Sequence, residues 1–97
     1  MKKFVVERIL PGASNLTPGE LEEIARESIE IIQRMGRPYH WIQSFITDDK
    51  IYCIHIAEGA EVVREHSRLG NFPIHTIAEV KAVMDPQTAG SLQLELL

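Results

Sequence analysis

Apolar and polar positions divide this chain into six segments of recognisable period. "KKFVVERIL", Lys2 to Leu10, is apolar and β-branched and is stopped by Pro11-Gly12, which predicts a strand. In "NLTPGELEEIARESIEIIQRMGRP" the period becomes helical, with Leu21, Ile24, Ala25, Ser28, Ile31, Ile32 and Met35 on one face. Thr17 suits the N-cap, Pro18 the first helical position, and Glu20 completes a capping box. Gly36 and Pro38 end the helix. "YHWIQSFI" and "KIYCIHIA" flank Asp48-Asp49 and read as a hairpin. A second helix is expected from about Ala60 to Leu69, with Gly70 as its stop, and a last strand from Ile77 to Met84 before Asp85-Pro86.

Pairing Thr47 with Lys50 sets the expected register: Phe45 opposite Tyr52, Gln43 opposite Ile54 and Trp41 opposite Ile56. Strict alternation then puts Tyr39, Trp41, Gln43, Phe45, Tyr52, Ile54 and Ile56 on one face, and His40, Ile42, Ser44, Ile46, Ile51, Cys53 and His55 on the other. Neither face is plainly hydrophilic, whereas a sheet covered on one side should alternate cleanly. Two helices cannot cover both sides, so a homodimer with sheets packed face to face is expected. The order strand, helix, strand, strand, helix, strand is the ferredoxin-like βαββαβ arrangement. The expected fold is α+β, an antiparallel sheet with two helices on one face, of the dimeric α/β-barrel type. Residues 1–97 make one domain, with a core over about 3–86 and a C-terminal tail over 87–97 that either crosses the partner subunit or hangs loose.

Composition narrows the function classes. A formal net charge of −4 gives no basic footprint for nucleic acid or an anionic membrane. No apolar run approaches the roughly 18 residues of a membrane span, and no signal segment opens the chain. The lone Cys53 excludes an intramolecular disulfide framework, so a reducing cytoplasm is the expected compartment.

The chemistry-bearing residues are few. His66 shares a helix face with Val62, Val63 and Leu69 and should meet the sheet, either as a hydrogen-bonded interior residue or as a neutral metal ligand. Cys53 and His55 share a strand face about 7 Å apart, with His40 expected within reach of His55. Imidazole and thiolate suit a divalent transition metal, yet no CxxC, HExxH or His-rich run is present, and a buried cysteine also serves as a small hydrophobe. Glu7 and Arg8 leave the first strand on opposite faces, so one must turn inward or into the dimer interface. Glu7 is expected to pair with His55 or a partner's arginine, or to serve as an oxygen ligand. Glu79 and Lys81 share a face at the solvent edge of the last strand. A pocket lined by Tyr39, Trp41, Phe45, Tyr52 and Ile54 would hold a small apolar molecule, and the same residues would fill an ordinary core. No nucleophile elbow and no Gly-rich phosphate loop is found.

The stretches "VVERILPGASNLTPGEL", "TDDKIYCIHIA", "VREHSRLGNFP" and "AEVKAVMDPQTA", in that order, resemble a family of short bacterial ferredoxin-like proteins of unknown function with a nickel-binding branch. The resemblance spans about residues 4 to 89 and implies a ferredoxin-like dimer. It implies a family histidine at His66, while the first-strand histidine of the nickel-binding branch falls where this chain has Glu7 and Arg8. The leading expectation is a small cytoplasmic protein binding a divalent transition metal, nickel by resemblance, through His66 with Glu7, His55 and His40 as partners. The alternatives are a dimeric α/β-barrel enzyme with His66 or His55 as general base acting on a small organic molecule, and a structural module with satisfied histidines.

Overall fold

A computed structural model describes residues 1–90. Six regular elements follow one another: β1 (Lys2–Ile9), α1 (Pro18–Met35), β2 (Tyr39–Ile46), β3 (Lys50–Ala57), α2 (Ala60–Leu69) and β4 (Thr76–Glu79). The strands form one antiparallel sheet in the order β2-β3-β1-β4. This is the ferredoxin-like βαββαβ fold that the periodicity predicts.

The local signals act as expected. Thr17 Oγ1 accepts from the Glu20 N–H at 3.1 Å and Glu20 Oε1 accepts from the Thr17 N–H at 3.0 Å, closing the capping box at the start of α1. Gly36 ends that helix in the left-handed region at φ 64°. Gly70 caps α2, but the left-handed residue is Asn71, at φ 54°. Asn71 N–H donates to Arg68 C=O and Phe72 N–H to Ser67 C=O, a Schellman closure that folds Phe72 back beneath the helix. A Cβ on Gly70 would run into the Phe72 ring, so the glycine makes room for that return.

Phe4 and Val6 of β1, Tyr39 of β2, Cys53 and Ala57 of β3, and Val62 and Val63 of α2 form the core, and Ile32 and Met35 of α1 pack against it. The C-terminal half of α1 is thus anchored, with Ile31 buried, while Leu21 near its start is exposed.

Two expectations need correction. First, β2 carries a bulge between Trp41 and Gln43. Phe45 pairs with Tyr52 and Gln43 with Ile54 as expected, but Trp41 pairs with His55, His40 with Ile56 and Tyr39 with Ala57. The extra residue, Ile42, inverts the alternation for everything before it. Tyr39 and Trp41 therefore turn toward the helices, and His40 turns away from the face that holds Cys53 and His55. Second, the last strand is Thr76–Glu79 rather than Ile77–Met84. Its partner β1 begins at Lys2, so after Val80 N–H donates to Lys3 C=O little strand is left to pair with; Val83 and Met84 are exposed. Pro86–Ala89 form a 3-10 turn, and the expectation for the tail over residues 91–97 lies outside the described residues.

Candidate functional site

Alternation along β1 puts Phe4, Val6 and Arg8 on the helix-covered face and Glu7 on the other. Arg8 is the residue that turns inward, and it is buried. Its Nη1 donates to Ser67 Oγ and to the Pro73 carbonyl, both at 3.0 Å. Its Nε donates to Cys53 Sγ at 3.5 Å, and its guanidinium lies 5.6 Å from the centre of the Phe72 ring. No salt bridge to Arg8 exists among the described residues. Glu7 does not meet His55; it lies 3.7 Å from Lys50 and 3.6 Å from His75 at the other surface of the sheet.

His55 and His66 come together although one lies on β3 and the other on α2. Their ring centroids are 5.3 Å apart and each residue is 1% exposed, so both side chains lie on the same side of the sheet. Tyr39 stacks on His66 at 5.1 Å and meets His55 edge-on at 5.4 Å, which the bulge in β2 makes possible. Tyr39 Oη hydrogen-bonds His55 Nδ1 at 2.8 Å, and Ser28 Oγ of α1 hydrogen-bonds His66 Nε2 at 2.9 Å. Each imidazole thus has one nitrogen satisfied. His55 Nε2 and His66 Nδ1 are buried and have no hydrogen-bond partner.

Both rings are neutral near pH 7. Burial, then the neighbouring His66 and Arg8, lower His55 to about 3. Burial and the Arg8 charge lower His66 to about 4, against a smaller opposing effect of the Ser28 backbone. Burial also pushes the Tyr39 phenol above its ordinary range, so it stays protonated and able to donate.

Ser28, His55 and His66, but not Tyr39, border a cavity of about 360 Å³ between α1 and the sheet. Leu21, Ile24 and Ala25 of α1, Ile46, Ile51 and Phe72 make apolar walls, and Arg8, Ser28, Ser44, Cys53, His55 and His66 supply its polar edge. Trp41 also lines it, its Nε1 donating to Ser44 Oγ at 3.0 Å, and Ser44 in turn donates to Cys53 Sγ at 3.0 Å. Of the aromatic lining expected from strict alternation, Phe45, Tyr52 and Ile54 lie on the opposite face, because the bulge redirects only the residues that precede it.

Of the residues singled out as metal ligands, His55 and His66 are brought together, and Cys53 lies on the same face. Glu7 and His40 are across the sheet from them. Among the described residues, no three of His, Cys, Asp and Glu gather in a group able to hold a metal ion. Sequence reasoning missed Ser28 as a partner of His66, and missed Ser67, Phe72 and Pro73 as the cradle of Arg8. A serine within an otherwise apolar helical stripe was the available signal for Ser28.

Comparison with known proteins agrees with this architecture. The family described as nickel responsive protein SCO4226-like matches residues 4–80, and the chain belongs to that family. The crystal structure of SCO4226 from Streptomyces coelicolor A3(2) superposes with a TM-score of 0.72 at 18% identity, over 84% of this chain and 99% of that one, so the two share a fold. No curated relative matches the chain.

Proposed function

We propose that this protein works by taking a small organic molecule into the cavity between α1 and the sheet. The observation that carries this reading is the cavity itself, apolar-walled, with buried Arg8, His55 and His66 on its polar edge. Apolar walls with a few convergent polar groups are the common form of a small-molecule site, and about 360 Å³ lies within its normal range. Trp41 is the sole tryptophan, so occupancy should change its emission without any label. Titration with small aromatic and aliphatic compounds is expected to shift that emission saturably. An unresponsive Trp41 across the whole set would refute the proposal.

A second reading, nickel binding, is favoured by family membership and by the same two free imidazole nitrogens. Here His55 and His66 would be the ligands, with Glu7 and His40 able to join only at a separate place on the opposite face. Arg8 bears on this reading, since a guanidinium beside both rings repels a divalent cation. Nickel titration of wild type and His66→Ala, read by calorimetry, discriminates: stoichiometric binding that disappears in the variant establishes a metal site at His66. Binding unaffected by the substitution rules that site out.

We also propose that two chains pair through the uncovered sheet face. Ile9, Ile42 and Phe45 are exposed there, beside partly buried Val5, Tyr52, Ile54 and Ile56. A contiguous apolar face of this kind is unusual on a monomer. The buried, unpaired Cys53 supports a reducing, cytoplasmic setting, and no described helix is long and apolar enough to cross a membrane.

A further inference from the structure

Resting on the reading of the cavity as the working site, we infer that its ligand is a small apolar carboxylate that accepts from Nη2 of Arg8. A buried guanidinium is costly unless its charge and its hydrogen bonds are answered. The partners of Arg8 answer only part of that demand, and none is a carboxylate: Ser67 Oγ, the Pro73 carbonyl, the Cys53 sulfur and the Phe72 ring. Nη1 spends both of its hydrogens on the first two. Nε donates its one hydrogen to Cys53 Sγ, and Nη2 has no acceptor among the described residues. The unused donors are therefore those of Nη2, a charged end that a carboxylate oxygen accepts from.

Nothing in the cavity wall supplies that carboxylate. Its lining contains neither aspartate nor glutamate, and Glu7, the nearest acid in sequence, is held across the sheet beside Lys50. His55 and His66, which share the cavity with Arg8 and Cys53, are neutral, so no carboxylate in the lining answers the guanidinium charge. An anionic head meets this charge, and Leu21, Ile24, Ile46, Ile51 and Phe72 offer apolar surface to the rest of the molecule.

The test compares benzoate with its neutral isostere benzamide, and hexanoate with hexanamide, using Trp41 emission and calorimetry on the full chain. Each acid is expected to bind about tenfold or more tightly than its amide, the difference between a charge-assisted pair and a neutral contact. Arg8→Gln should erase that preference, and Arg8→Lys should recover only part of it, because an ammonium's three donors cannot serve Ser67, Pro73, Cys53 and the ligand together. Should Arg8→Gln fail to fold, the acid-to-amide ratio in wild type still decides. Equal binding of acid and amide overturns the carboxylate inference and leaves the cavity reading intact. Equal binding of sulfate and benzoate overturns it as well, since the apolar body would then contribute nothing. If neither acids nor amides bind, both readings fall together.

Discussion

Two imidazoles within 5.3 Å of each other and a guanidinium, all buried, make pH a strong variable at the residue scale. The folded-state values of about 3 for His55 and about 4 for His66 lie below the ordinary value of 6.5. The unfolded chain therefore binds more protons, so stability is intact above about pH 6.5 and declines as pH falls toward 4. By pH 4.5 the loss is expected to be on the order of 2–3 kcal/mol per histidine. Urea midpoints measured from pH 7.5 to 4.5 check this, and a flat profile would mean that the rings titrate as exposed ones do. What sequence could tell about these residues was uneven. Helical spacing turned His66 inward, and period-2 alternation put Cys53 and His55 together. Whether Glu7 or Arg8 turned inward was not legible, because Val5 and Ile9 are as apolar as Phe4 and Val6. Only the placement of β1 in the sheet decides it.

At the scale of elements, the bulge in β2 builds the site. Were Ile42 paired in a regular ladder, Tyr39 would face away from His55, and Trp41 would not border the cavity. Deleting Ile42 should remove the extra residue and keep the present pairs, with Trp41 opposite His55 and Tyr39 opposite Ala57. The expected result is a stability within about 1 kcal/mol of wild type, since Ile42 is half exposed, with unchanged Trp41 emission. Red-shifted emission in a folded deletion variant would show that the strand realigns another way. The helices were legible in full, since Thr17, Pro18, Glu20 and Gly36 each encode a local conformation. The bulge was not. Nothing in "YHWIQSFI" marks one residue as unpaired, and the competing registers differ only in what the helices offer to cover. The short β4 escaped for a related reason: a strand ends where its partner does, and Val80 to Met84 are apolar enough to suggest more.

For the whole molecule, the sheet has one face covered by α1 and α2 and one face bearing Ile42 and Phe45 at about half exposure. Phe45→Glu is expected to move the protein from dimer to monomer in sedimentation velocity while leaving its circular dichroism intact. A wild type that sediments as a monomer at micromolar concentration would contradict the pairing proposed above. Glu7 and Arg8 are consecutive residues whose side chains leave β1 in opposite directions, so a single layer of backbone separates the cavity from the open face. A ligand that shifts the Arg8 backbone necessarily shifts the platform on which a second chain would rest. Linkage then runs both ways: a molecule that tightens the pair is one that the pair holds more tightly, by the same factor. Protein concentration would thereby become a variable in every affinity measured on this chain.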